Sequence, residues 1–231
     1  MKKLVCYPVG ETKACAEAVK VLKRAGVTMI DHPAPEVSHL LLDVPWRGGN
    51  IQAITERLPE DLTVVGGNVP QWGGAVMDLL QDEAYLWENA AITARCAMHL
   101  AAEATGEILS GQRVLIIGWG RIGRHLARLL TALGAEVWLR SSKERNLAEA
   151  ASLGIRVGEE RDFDILFNTA PGIEIADEER LRGVKIELAS KPGFRGDDTV
   201  KALGLPNRYA PKHTGELIAK TILRKLGEGR P

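Results

Sequence analysis

The sequence predicts an α/β protein of two doubly wound parallel-sheet domains, the second a Rossmann dinucleotide-binding domain, joined by a long helix. Three observations predict it. Short apolar runs alternate with amphipathic helical stretches along most of the chain. The run Val114-Leu115-Ile116-Ile117-Gly118-Trp119-Gly120-Arg121-Ile122-Gly123 sets G-x-G-x-x-G directly after an apolar strand and directly before a helix. A stretch rich in Ala and Leu, from about Glu83 to Ile108, separates two sets of alternation.

In the first set, strands are expected at 4–7, 27–30, 39–44 and 62–65, with helices at 14–25 and 50–58. After the long helix at 83–108, strands are expected at 113–117, 135–139, 155–157, 163–168 and 184–189, and a short one near 208–210. Helices are expected at 121–133, 143–153, about 176–182, 196–203 and 214–226. The domains are then 1–85, a small α/β substrate domain, and 86–231, comprising the linking helix, the dinucleotide domain and a last helix returning toward the first domain. The Ala-rich helix, with Trp87, Met98 and Leu100, suits either the surface of a homo-oligomer or a core.

Composition excludes several classes of function. The chain has 231 residues, and its 30 basic and 30 acidic side chains cancel. That leaves no footprint for nucleic acid or an anionic membrane. No stretch approaches the roughly 20 apolar residues of a membrane span. Met1-Lys2-Lys3 has the charge of a signal peptide, but the apolar run behind it is too short. Cys6, Cys15 and Cys96 are odd in number and lack framework spacing, so reduced thiols and a cytoplasmic location are expected. No metal-ligand spacing is present, and no metal is expected.

The glycine run carries the cofactor expectation. Gly118 permits the tight turn, Gly120 lets backbone approach a pyrophosphate, and Gly123 lets helix pack on strand. Trp119, Arg121 and Ile122 fill the turn and the first helical positions. Ile122, Leu126, Leu129, Leu130 and Leu133 form an apolar helical face that Gly134 ends. At the end of the next strand, where NAD-binding domains place an acid, stand Arg140-Ser141-Ser142-Lys143. A guanidinium, two hydroxyls and an ammonium suit a 2′-phosphate, so NADP is expected over NAD. Ser142 also suits an N-cap.

Further candidates sit at strand ends. Asn168-Thr169-Ala170-Pro171 and Ala189-Ser190 are expected against the cofactor. Lys191 is a candidate to hold a substrate carboxylate or act as an acid; a solvated loop lysine is the plain alternative. In the first domain, Arg47 and the Gly66-Gly67-Asn68 turn suit a small carboxylate, the turn as an anion nest; two ordinary turns with helix caps, Asn50 among them, would look the same. His213, beside Lys212 at the start of the last helix, is a candidate proton-transfer group. His32, His39, His99 and His125 read as structural.

Taken together, several segments resemble the dipicolinate synthase A family. They are Asn89-Ala90-Ala91-Ile92-Thr93-Ala94, the Gly118–Gly123 loop, Thr131-Ala132-Leu133-Gly134-Ala135 and Leu139-Arg140-Ser141-Ser142. Asp164-Ile165-Leu166-Phe167-Asn168-Thr169-Ala170-Pro171, Glu187-Leu188-Ala189-Ser190-Lys191-Pro192-Gly193 and Ala210-Pro211-Lys212-His213-Thr214-Gly215 complete the set. The resemblance covers about residues 85–226. It implies an NADP-linked oxidation of a dihydro- or hydroxytetrahydro-dipicolinate to dipicolinate in sporulation, with the flavoprotein-like dipicolinate synthase B as partner. It also makes Asn89, Arg95 and Lys212 candidates for binding the dicarboxylate substrate. The chain departs from the family's pattern at Arg95-Cys96, where Glu-Gly is usual, and at Glu187, where Asp is usual. A dehydrogenase of another small acid, or a non-catalytic NADP-binding regulatory subunit, would carry the same glycine loop.

Overall fold

The computed structural model of the chain describes residues 4–158, 160–175 and 177–228. Contacts divide it into two units, one of residues up to Asn89 plus those from Pro206 on, the other Ala90–Leu205. The last helix therefore counts with the first unit.

The first unit contains β1 (Val5–Pro8), α1 (Lys13–Arg24), β2 (Thr28–Met29), β3 (His39–Leu41), α2 (Ile51–Thr55), β4 (Thr63–Gly66) and β5 (Ala75–Asp78). A 3₁₀ turn at Leu79–Gln81 leads into α3 (Glu83–Thr105), which runs on into the second unit. The strands pair in parallel in the order β2-β1-β3-β4-β5. Ala34, Val37, Leu40, Leu42, Ile51, Leu58, Leu62 and Val64 form one core cluster of this unit. Asn50 caps α2 by accepting from Gln52 N.

The second unit holds β6 (Arg113–Ile117), α4 (Arg121–Ala132), β7 (Glu136–Arg140), α5 (Glu144–Ser152), β8 (Arg156–Val157), β9 (Asp162–Asn168), β10 (Arg182–Glu187) and β11 (Val200–Lys201). Its strands are also parallel, in the order β11-β10-β9-β6-β7-β8. The order reverses between β6 and β9. In such sheets ligands sit at that reversal, beyond the carboxyl ends of the strands.

The chain then returns to the first unit through α6 (Leu205–Tyr209) and α7 (Pro211–Glu228). Helix α7 packs on α1 so closely that a Cβ on Gly215 would lie 2.5 Å from Glu17 Cβ and 2.7 Å from Ala18 N.

Four expectations are corrected. No strand is expected at Ala75–Asp78, which forms edge strand β5; it follows two glycines and leaves Val76 46% exposed, so no apolar run marks it. The helix expected at 196–203 is absent: Arg195 N and Gly196 N donate to Glu178, holding this segment extended into β11. The strand near 208–210 is helix α6, whose Asn207 Oδ1 accepts from Ala14 N on α1. The helix at 176–182 is a 3₁₀ turn at Glu178–Arg180; position 176 lies outside the described residues.

Candidate functional site

The glycine turn closes β6 at the strand-order reversal. Gly118 has φ 101°, which disfavours any side chain, and a Cβ there would lie 2.8 Å from Thr169 Oγ1. Gly118 N donates to the Arg140 carbonyl at 3.0 Å, tying the turn to the end of β7. A Cβ on Gly123 would collide with the Gly118 carbonyl oxygen, so α4 can approach the turn only with glycine there. Gly120 differs: nothing lies within 4 Å of where its Cβ would be. It is the N-cap of α4 and no side chain caps that helix, so the first-turn N–H groups face a positive dipole end that the protein leaves open.

A groove of about 610 Å³ opens here, within the usual range for ligand sites. It is lined by Gly118, Trp119 and Gly120 on one side, by Ser141, Ser142, Lys143, Arg145, Asn146 and Glu149 on another, and by Thr169, Ala170, Pro171 and Ile173 opposite. Arg124 reaches it from α4, pairs with Glu149 at 2.7 Å and lies 5.8 Å from the Trp119 ring centre. Two donors at the groove, Trp119 Nε1 and Arg124 Nε, have no hydrogen-bond partner among the described residues.

The β7–α5 loop is organised by Ser141, whose hydroxyl accepts from Lys143 N at 3.3 Å and Asn146 Nδ2 at 2.9 Å. Ser142 is not the helix cap expected; Lys143 holds the N-cap position, and no side chain caps α5. Two uncapped helix N-termini, three cations and an open glycine floor fit an anionic dinucleotide. Arg140 departs from its expected place. It lies outside the groove lining, and its Nη1 contacts both oxygens of Asp177 at 3.0 and 3.2 Å.

Asn168 is also corrected. It is fully buried, its amide donates to both oxygens of Glu187, and its Oδ1 accepts from Ala170 N. Its side chain is thus committed inside the protein; it shapes the groove only through Thr169 and Ala170. Ala189 is likewise buried, its N–H given to Glu187. Thr169 Oγ1 donates to the Ile117 carbonyl at 3.0 Å and fastens the wall to the glycine strand. Arg121, Ile122 and Gly123 belong to the first turn of α4, outside the lining. Ser190 and Lys191 are exposed, and the Lys191 carbonyl accepts from Gly172 N at 3.1 Å. Arg95 is exposed on α3.

In the first unit, Arg47, Asn68, Lys212 and His213 are exposed and Asn89 is half-buried. The expected anion nest is corrected: Gly67 N donates to the Asp43 carbonyl and Val69 N to Asp78 Oδ2. Asp43 also closes the order reversal of this sheet, accepting from Glu11 N and Thr12 N at 3.0 Å each. A carboxylate of the protein's own occupies that helix start. Burial pushes the Cys6 and Cys15 thiols up to about 12, which leaves them unreactive. Among the described residues no cluster of His, Cys, Asp and Glu could hold a metal ion. No described helix is long and apolar enough to cross a membrane.

Sequence reasoning missed Arg145, Asn146, Glu149 and Arg124. The i, i+4 spacing of Arg145 and Glu149 on one helix face was the available signal.

Fold and groove together define the class, a dehydrogenase with a nicotinamide dinucleotide cofactor. Residues 80–173 match the D-isomer specific 2-hydroxyacid dehydrogenase, NAD binding domain family. More particularly, the chain is a homologue of dipicolinate synthase A. It is 29% identical to that protein of Bacillus subtilis (strain 168) over 159 residues, 61% of this chain and 54% of the relative. The match thus spans about half of the relative's length. In structure the chain is similar to dipicolinate synthase A from Bacillus subtilis, with TM-score 0.80 at 20% identity over 99% of this chain and 97% of that one. It is also similar to dipicolinate synthase A from Bacillus halodurans, with TM-score 0.78 at 22% identity over 97% and 98%. These two likenesses are of fold.

Proposed function

We propose that the chain is an NADP-dependent oxidoreductase of the dipicolinate synthase A type. It oxidises a dihydro- or hydroxytetrahydro-dipicolinate to dipicolinate in the cytoplasm of a sporulating cell, with a flavoprotein-like second subunit as partner. The observation that carries the cofactor choice is the β7–α5 edge of the groove. Ser141, Ser142, Lys143 and Arg145 line it, and its one carboxylate, Glu149, is paired with Arg124. Such an edge favours a 2′-phosphate by charge-assisted hydrogen bonds. The substrate choice is supported by the named relative.

Bound NADP supplies the hydride acceptor. The chain's own residues hold and orient. Lys143 and Arg145 hold the ribose phosphate, and the free N–H groups of α4 hold the pyrophosphate. Trp119 and the Thr169–Pro171 wall exclude water. Lys191 holds a substrate carboxylate in the second unit; Arg47, Asn68, Asn89, Arg95 and Lys212 are the further substrate-binding groups. His213 takes the ring proton that must leave as the hydride departs, and the aromatic product makes the step downhill.

The test is direct. Purified chain, with and without its partner subunit, is incubated with NADP and freshly made dihydrodipicolinate precursor. NADPH and dipicolinate should form in equal amounts. Absence of both under all conditions overturns the oxidation, and NADP binding without turnover assigns a regulatory role instead.

A further inference from the structure

One buried carboxylate in the second unit is met only by donors. Glu187 ends β10 and is 2% exposed. Its Oε1 accepts from Asn168 Nδ2 at 2.9 Å and from Ala189 N at 3.0 Å. Its Oε2 accepts from Asn168 Nδ2 at 3.0 Å, Gly193 N at 2.7 Å and Phe194 N at 3.1 Å. No lysine or arginine among the described residues pairs with it. Burying a carboxylate without a cation is costly unless donors saturate it. Here one amide and three backbone N–H groups do so.

Those donors come from two loops, the one after β9 and the one after β10. Asn168 passes the constraint on, because its Oδ1 fixes Ala170 N at 3.0 Å. Thr169 Oγ1 fixes the same wall to the Ile117 carbonyl, next to the glycine turn. On the other side, the turn is pinned at Ala189, Gly193 and Phe194, with Lys191 between them. There is no slack at Gly193: a Cβ there would lie 2.6 Å from Asn168 Nδ2.

We infer that Glu187 is a positioning residue, which sets the Thr169–Pro171 wall against Gly118 and holds the turn that presents Lys191. It lies outside the groove lining and acts through Asn168. The inference rests on the reading of the groove as the NADP site.

Donor and acceptor matching supplies the test. Glu187→Gln replaces one acceptor by an NH₂ group that faces donors. Asn168 can answer only by flipping, which turns its own NH₂ onto Ala170 N–H. The reciprocal pair, Glu187→Gln with Asn168→Asp, restores the match. The introduced glutamine would donate to the new carboxylate, whose other oxygen still accepts from Ala170 N. The glutamine's own Oε1 would still accept from Gly193 and Phe194.

NADPH is titrated calorimetrically into the full-length wild type, E187Q, and the E187Q/N168D pair. Phe163→Leu, a change in the same core away from the groove, serves as a control for general destabilisation. We expect E187Q to bind about tenfold more weakly, the pair to return to within about threefold of wild type, and the control to bind as wild type. E187Q binding within about twofold of wild type, or losing no more than the control, overturns the positioning role alone. A wild type that binds no NADPH overturns the cofactor reading and this inference with it. If E187Q does not fold, amide exchange on the wild type decides. Ala170, Gly193 and Phe194 should exchange as slowly as the core of β9; exchange at surface-loop rates overturns the inference.

Discussion

Asp82, just before α3, offers a perturbation whose size follows from its contacts. Its Oδ1 accepts from Tyr85 N at 2.8 Å, capping the helix, and its Oδ2 meets Arg224 Nη2 at 2.7 Å and Lys225 Nζ at 3.0 Å. The carboxylate side chain is 8% exposed, while Arg224 and Lys225 are 37% and 31% exposed. Asp82→Ala loses a cap worth about 1 kcal/mol and two solvent-screened ion pairs at about 0.5 kcal/mol each. The sum is about 2 kcal/mol, or about 4–8 °C in Tm for a chain of this size. Asp82→Asn keeps a capping oxygen and loses the charge, so about 1 kcal/mol and about 2–4 °C are expected.

The pH dependence separates charge from packing at this site. Donation from Tyr85 N, with Arg224 and Lys225 adding to it against the opposing effect of burial, holds the Asp82 carboxyl well below the usual range. A group depressed in the folded state stabilises fully above its unfolded pKa, about 3.9. That contribution is lost as pH falls toward the folded value. The Tm gap between wild type and Asp82→Asn should be flat from about pH 7 to about pH 5 and narrow below about pH 4. Thermal melts followed by circular dichroism measure it. Equal losses in the two variants, with a gap indifferent to pH, would refute the electrostatic reasoning.

Gly123→Ala forces a Cβ onto the Gly118 carbonyl and to 3.2 Å from Thr169 Oγ1, an overpacking of about 1–3 kcal/mol. NADPH binding should weaken by at least about fivefold, and titration showing unchanged affinity would contradict the close approach. Lys143→Glu with Arg145→Glu should weaken NADP far more than NAD, since an added carboxylate repels the 2′-phosphate; equal effects on the two Kd values would remove these residues from phosphate binding. Arg140→Asp should have the smaller effect of the two changes, because Asp177 already engages that guanidinium. Lys191→Ala should raise KM or lower kcat for the dicarboxylate with NADPH affinity unchanged, and unaltered steady-state kinetics would return Lys191 to a solvated loop.

What was legible in the sequence is what depends on local pattern. Val114–Ile117 reads as a strand because four consecutive apolar residues meet a glycine turn, and β6 ends there. Helix α4 follows from its periodic leucines, of which Leu126 and Leu130 are fully buried. Strand β5 and the 196–203 segment lack such patterns. Their conformations are set by an edge pairing with β4 and by donation to Glu178, contacts made far along the chain. The site divides in the same way. Gly118, Trp119 and Gly120 declare themselves through spacing. Asn168 bonding Glu187, 19 positions away, and Arg140 bonding Asp177, 37 positions away, are facts of register that no local pattern carries. An arginine at a strand end reads as a phosphate ligand until its partner is visible.

The return of α7 onto α1 orders events during synthesis. The second unit is one uninterrupted segment, so all of its strands have been made before α7 emerges. The first unit is split, and Gly215 must reach the face formed by Ala14 and Ala18 before that surface is covered. On a ribosome, the dinucleotide domain is the part able to close early, while the face of α1 waits for nearly the last residues made. A nascent chain arrested at Leu205 should accordingly bind NADPH while its first unit stays open to protease.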